Sequence, residues 1–320
     1  MHAIQSVRRG GPEVLQLREL DRPQPGEGEL LVELAATGVN FVDVYRRNGT
    51  YLVDYPNVPG TEGAGRVAAV GPGVTGFAEG DRVATAEGLR TYAEFAIVPA
   101  SAATKVPDGV PDDVAGALPL QGITAHYLVT SVFPVGADTT LLVHAGAGGV
   151  GLLLIQLAKA RGATVYTTVG NQKKRPLAEG AGADAVLEYD GFDERVRELT
   201  GGRGVDVVYD GVGRSTYERS LSALRKRGLL ALFGAASGPV PGIEPQRLAA
   251  GGSLVLTRPT MVDFLLTPEE RRWRFDELFG EVLAGRLQVR VGGTYALKDA
   301  SDAHRDLESR RTTGKLLLTP

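Results

Sequence analysis

The sequence predicts an α/β protein: a doubly wound parallel sheet joined to a second, β-rich domain assembled from both ends of the chain. Three observations carry this. Apolar strand segments alternate with helical segments from Leu141 to Gly234, a glycine-rich turn at 146–151 follows the first of those strands, and the first third breaks into short strands at Gly and Pro corners.

Composition sets the outer bounds. A chain of 320 residues suggests about two domains, each able to bury a core. Hydrophobic residues at 43%, charged residues at 23% and a mean hydropathy of −0.05 describe a soluble globular protein. A net charge of −3 without a long like-charge block argues against a nucleic-acid surface. Neither a secretory apolar segment near Met1 nor an unbroken apolar run of membrane-spanning length is present, so no membrane role and a cytoplasmic location are expected. The absence of cysteine excludes disulfides, thiolate zinc sites and iron–sulfur ligation.

In chain order, His2–Val7, Val14–Leu20 and Glu29–Ala36 read as strands separated by Gly/Pro turns. Asn40–Asn48 has helical spacing through Phe41, Val44 and Tyr45 and stops at Gly49. Gly63–Val70, Gly80–Val83 and Tyr92–Val98 are further short strands, a pattern of small irregular barrels or sandwiches. Asp112–Val132 reads as one or two helices, with acidic residues in the first turn after Pro111. Strands are then expected at Leu141–Val143, Thr164–Val169, Ala185–Tyr189, Val205–Tyr209 and Leu229–Gly234, with helices between them and Leu254–Arg258 at the sheet edge. Thr267-Pro268-Glu269-Glu270 spells a capping box for a helix whose apolar face is Phe275, Leu278, Val282 and Leu283. Strands at Gly292–Leu297 and Lys315–Leu318 flank a last helix, Asp299–Ser309. A tail of this size makes a poor independent core, so it is expected to rejoin the first domain. The expected division is 1–120 with 261–320, and 121–260.

Within the central domain, Gly146, Gly148 and Gly151 form G-x-G-x-x-G between a strand and a helix, the Rossmann-type dinucleotide context. The first glycine is expected to allow the tight turn, the second a close approach of pyrophosphate to backbone, and the third close helix packing. The helix starting near Gly149 offers N–H groups and a positive dipole end to phosphate. An NAD site would place a carboxylate at the tip of the second strand. Here that tip reads Gly170-Asn171-Gln172-Lys173-Lys174-Arg175. No acid is present, and three cations occupy the start of a helix, where they oppose its dipole unless an anion is bound. Charged hydrogen bonds contribute on the order of 1.5–3 kcal/mol each, enough to select NADPH over NADH.

Other chemistries lack their residues. His2, His126, His144 and His304 show no metal-ligand spacing, and neither a Tyr-x-x-x-Lys pair nor a G-x-S-x-G elbow occurs. The remaining polar candidates lie in VNFVDVYRRNGTY, residues 39–51. Asn40, Asp43 and Tyr45 on one short helix and Tyr51 beyond it either meet a ligand or serve the structure.

GTEGAGRVAAVGPGVTGFAEGDRVA (60–84), AGAGGVG and DVVYDGVG (206–213) resemble the medium-chain dehydrogenase/reductase superfamily. Together with GGPEVLQL (10–17), GVNFVDVYRRNGTY (38–51), LQGITAHYL (120–128), LFGAASG (232–238) and LTRPT (256–260), they are similar to its zinc-free NADPH:quinone oxidoreductases related to ζ-crystallin. The resemblance covers nearly the whole chain. It implies a GroES-like catalytic domain from both termini, a central NADPH domain, a homodimer, and a small quinone as substrate. Zinc enzymes of the superfamily carry cysteine where Asn40 stands and histidine where Thr61 stands, so no zinc site is expected.

Without a Lewis acid, an electrophilic quinone needs mainly positioning and donors for the developing oxyanion. The resemblance places Asn40, Tyr45 and Tyr51 beside the nicotinamide as catalytic candidates. A tyrosine hydroxyl ionises at roughly pH 10, so these would donate hydrogen bonds rather than protons. Besides Gly146 and Gly151, the resemblance assigns cofactor contacts to Asn40, Thr124, Gly148, Gly149, Val150, Gly170, Lys174, Tyr189, Phe233, Ser237 and Arg258, with Lys315 the weakest. The rival reading is an NADPH-dependent reductase of activated C=C bonds in enones or enoyl thioesters; both deliver hydride to a conjugated acceptor, and no residue separates them.

Overall fold

The computed structural model describes residues 1–320. It divides into two compact units, residues 1–121 with 275–320, and residues 122–274. Helices and strands are numbered along the chain. The first stretch contains β1 (His2–Ser6), β2 (Leu15–Glu19), β3 (Glu29–Val39), α1 (Phe41–Arg47), β4 (Gly63–Val70), β5 (Arg82–Thr85), β6 (Phe95–Pro99), β7 (Thr104–Lys105), α2 (Asp112–Ala117) and α3 (Pro119–Tyr127). The middle contains β8 (Thr140–Val143), α4 (Gly149–Ala160), β9 (Thr164–Thr168), α5 (Arg175–Gly180), β10 (Ala185–Leu187), α6 (Phe192–Leu199), β11 (Val205–Asp210), α7 (Tyr217–Ala223), β12 (Leu224–Leu232), α8 (Pro245–Ala250) and β13 (Val255–Thr257). The chain ends with α9 (Pro268–Leu283), β14 (Val291–Ala296), α10 (Ala300–Glu308) and β15 (Lys315–Thr319).

In the first unit, one sheet runs β14-β15-β3-β4-β5-β7, with β6 also paired to β3 and β1–β2 forming a separate ribbon. The expected return of the tail is met by β15, which lies antiparallel to β3 with Leu316 opposite Val39 and Leu317 opposite Gly38. Burial of Leu316 and Leu318 against Ile4, Val39, Tyr92 and Leu297 secures it. The middle unit is a six-stranded, fully parallel sheet in the order β10-β9-β8-β11-β12-β13. Chain order reverses between β8 and β11, the switch point at which doubly wound folds open a crevice beyond the strand ends. Leu142, Phe192, Val196, Val208, Leu221 and Leu230 pack its core.

Three element expectations need correction. β12 begins at Leu224 rather than Leu229, because its charged Arg225-Lys226-Arg227 stretch hides a strand that shifts register against β11. Leu283 is 49% exposed, and Phe279 takes the place expected for it on the buried face of α9. The Thr267 hydroxyl does accept the Glu270 N–H at 3.2 Å, but the Glu270 carboxylate bonds Arg274 and reaches the Leu266 N–H, not that of Thr267. No helix is long and apolar enough to cross a membrane.

Candidate active site

The glycine turn joins β8 to α4. Its left-handed residue is Ala145 (φ 57°). Gly146 is required for another reason: a Cβ there would lie 2.0 Å from the Thr167 hydroxyl. At Gly151 a Cβ would lie 2.3 Å from the Ala145 carbonyl oxygen, so this glycine lets α4 cross its own turn. Gly148 is the N-cap, and α4 begins at Gly149, leaving first-turn N–H groups at the switch point for an anion.

Beyond β9, residues 169–172, Arg175 and Leu187–Asp190 surround a cavity of about 380 Å³. A Cβ at Gly170 would meet nothing within 4 Å. Of the three cations, Arg175 lines the cavity and pairs with Glu179 at 2.8 Å. Lys173 is exposed and Lys174 half-buried, and burial pushes the Lys174 ammonium below the usual lysine range. An anion held at Lys174 would oppose that shift. Tyr189 is half-buried at the cavity wall, with its ring 5.8 Å from that of His144 and tilted by 21°.

A buried network supports these strand ends, and sequence reading missed it. His144 Nδ1 meets the Thr168 hydroxyl at 2.9 Å and Nε2 meets the Ser220 hydroxyl at 2.9 Å. Ser220 and Thr216 donate to Asp210 Oδ2, and the Val212 and Gly213 N–H groups donate to Oδ1. Burial pushes the His144 pKa down, against the opposing charge of Asp210, so the ring is neutral at pH 7. The ends of β8, β9 and β11 are thereby tied by polar contacts without a free buried charge. Ser237 donates to the Val212 carbonyl at 2.7 Å and accepts the Ser215 N–H at 3.0 Å, which fixes the loop that carries Phe233. Thr124 is buried, and Arg258 is exposed just beyond β13.

The first unit holds the remaining residues. Asn40 caps α1, and the Asp43 carboxylate accepts its backbone N–H at 3.0 Å. Its side-chain amide faces inward. Nδ2 donates to Glu62 Oε2 at 2.8 Å and to the Gly38 carbonyl at 3.2 Å, while Oδ1 accepts Lys315 Nζ at 2.6 Å. An amide has only two N–H donors. The role of substrate donor expected for the Asn40 side chain is therefore corrected: both donors are committed within the fold.

Lys315 is corrected likewise. It is 1% exposed and its ammonium bonds Glu62 and Asn40, so it faces the interior rather than a cofactor. Glu62 Oε1 also accepts the Leu120 N–H at 2.7 Å, placing the carboxylate at the start of α3. Tyr45 lies on α1, with its ring edge-on to Tyr51 at 5.4 Å. Tyr51 is 43% exposed and Tyr45 half-buried beside it, so this segment presents a tyrosine pair at its outer face.

Behind Asn40 the network continues. The Tyr92 hydroxyl lies 3.3 Å from Asp43 and 3.0 Å from His304 Nε2, and Arg47 meets His304 Nδ1 at 2.9 Å and Glu308 at 2.8 Å. Burial pushes the Asp43 carboxyl up to about 6, and its Oδ1 has no hydrogen-bond partner. A carboxyl whose folded-state pKa is raised destabilises the fold once ionised, so stability is lost as pH rises from about 4 through 6. The shift corresponds to on the order of 2–3 kcal/mol. Urea unfolding of Asp43→Asn and wild type should therefore show the variant gaining relative stability by this order between pH 4 and pH 7.5. A difference independent of pH would refute the ionisation.

Comparison with known proteins follows the same division. Residues 26–108 match the family described as "Alcohol dehydrogenase GroES-like domain", and residues 149–275 match that described as "Zinc-binding dehydrogenase". A quinone oxidoreductase of Pseudomonas aeruginosa is 42% identical over 323 residues, covering 99% of each chain. A solved mycobacterial protein complexed with NADPH is 52% identical over the full length of both chains, with a TM-score of 0.99. The Escherichia coli quinone oxidoreductase complexed with NADPH is 42% identical, covers 100% of both chains and has a TM-score of 0.98.

Proposed function

The chain belongs to the zinc-free quinone oxidoreductases of the medium-chain dehydrogenase/reductase superfamily, and we infer from this that it is an NADPH-dependent quinone oxidoreductase. The observation that carries the reading is the end-to-end similarity to quinone oxidoreductases at 42–44% identity. The residues fit the cofactor. The open crevice around Gly170 and the N–H groups that begin α4 suit a dinucleotide, and Lys174 and Arg175 supply cations for a 2′-phosphate where the strand tip carries no acid.

When bound, NADPH supplies the hydride. In this reading Gly146, Gly148, Gly149, Val150 and Gly151 hold the pyrophosphate through backbone N–H groups and close approach. Gly170 and Lys174 receive the 2′-phosphate end, with Tyr189 along the adenosine. Thr124, Phe233, Ser237 and Arg258 orient the remainder. Tyr45 and Tyr51 donate hydrogen bonds to the developing oxyanion of the substrate. Asn40 acts at one remove: held by Glu62 and Lys315, it sets the start of the helix that carries Tyr45. A quinone is electrophilic enough for donors and positioning to suffice.

The reading extends to a cytoplasmic homodimer. β13 is an edge strand, and Val255, Val262, Leu266 and Trp273 are exposed at 46–75% in the segment around and after it, an apolar surface suited to a second copy.

Turnover with NADPH of 1,4-benzoquinone, 9,10-phenanthrenequinone and a 2-enal tests the substrate class. Higher kcat/KM for the quinones is expected, and preference for the enal would transfer the enzyme to reduction of activated C=C bonds.

A further inference from the structure

A second concavity of the central unit lies away from the glycine turn. About 760 Å³ in volume, it is bordered by Arg197, Arg203, Arg225, Lys226 and Arg227. These residues cluster where β11 and β12 begin, whereas the glycine turn follows the end of β8. In a parallel sheet those are opposite ends, so this basic concavity is separate from the dinucleotide crevice.

Its charge is poorly balanced. Behind two of these cations, Asp206 is 5% exposed, bonds Arg203 at 2.6 Å and Arg225 at 2.5 Å, and accepts the Thr140 N–H at 2.8 Å. The five charged side chains that line the concavity are all cationic, and Asp206 offsets one of them from behind. Part of the set is held in place. Arg197 donates to the carbonyls of Gly202, Arg203, Ser222 and Leu224 at 2.7–3.1 Å, which fixes the loop before β11 against the start of β12. Lys226 and Arg227 are exposed at its rim.

Arg227 also adopts left-handed backbone (φ 58°), a conformation L-residues other than Gly, Asn and Asp seldom take. Its N–H donates to the Gly252 carbonyl at 2.7 Å, which holds that conformation in place. A glycine would satisfy this turn more easily, so replacing Arg227 by glycine leaves the backbone unstrained.

We propose that this concavity is a second anion site, fitted to a small molecule carrying two or three linked phosphates. The Arg227 guanidinium and the Lys226 ammonium at the rim match phosphate oxygens, and the remaining positive charge of the lining suits a di- or triphosphate. No aromatic side chain lines the concavity, so recognition falls on the phosphates rather than on a base.

The test is calorimetric titration with inorganic tripolyphosphate, with and without saturating NADPH. A single saturable site per chain is expected, unaffected by NADPH and weakened by added salt. Lys226→Glu with Arg227→Glu should weaken it by about tenfold or more while NADPH affinity is unchanged. Arg227→Gly, which suits the backbone and removes one cation, should weaken it with no loss of thermal stability. Absence of saturation in the millimolar range, displacement by NADPH, or indifference to both variants would overturn the site. Tighter binding of a single-stranded oligonucleotide at the same residues would overturn the small-ligand assignment.

Discussion

Lys315→Met is expected to destabilise the protein by about 3–5 kcal/mol. The ammonium is buried among Glu62 and Asn40, and its removal strands a fully buried carboxylate with only the Asn40 amide and the Leu120 N–H as donors. The effect should depend on charge rather than packing, since methionine fills much of the same volume. Lys315→Met combined with Glu62→Gln should therefore lose less than Lys315→Met alone, because the neutral amide carries no charge to strand. Denaturant midpoints of the three proteins provide the comparison. A Lys315→Met variant within about 1 kcal/mol of wild type would mean that the pair is not an isolated buried ion pair.

Gly151→Val should lower NADPH affinity by about a hundredfold or more. A Cβ at this position already lies 2.3 Å from the Ala145 carbonyl and 2.9 Å from Gly146 Cα, both backbone atoms, and valine adds two methyl groups. α4 must then move off its turn, and the N–H groups at its start no longer converge on one point. Gly170→Ala is the matched control. It also adds bulk in the crevice, but nothing lies within 4 Å of its Cβ, so the fold should be unchanged. Fluorescence titration with NADPH on both variants separates the cases, and equal affinities would refute the steric account.

The contrast between these two sites shows what the sequence made legible. Strand, glycine turn and helix are local in the chain, and their periodicity and spacing survive as pattern, so β8, the turn and α4 were readable from residues 139–170. The use of each glycine was less so. The left-handed residue is Ala145, and Gly146 is demanded by Thr167 of the neighbouring strand. The Asn40 centre depends on contacts that span 22 residues to Glu62 and 275 to Lys315, for which sequence carries no periodic signal. Asn40 stands out in sequence as a candidate, but counting its committed donors requires coordinates. Arg225-Lys226-Arg227 falls outside the strand expected from Leu229, because a strand interior seldom holds three cations in succession. The same stretch proved to be both strand and the wall of the basic concavity.

The central claim is that this chain reduces quinones with NADPH and without a metal. The ratio of kcat/KM for NADPH over NADH, measured with 9,10-phenanthrenequinone on EDTA-dialysed wild type and Lys174→Ala, tests it most directly. The predicted wild-type ratio is roughly tens to hundreds, falling towards one in the variant. Activity lost on dialysis, or a wild-type ratio near one, would contradict the account.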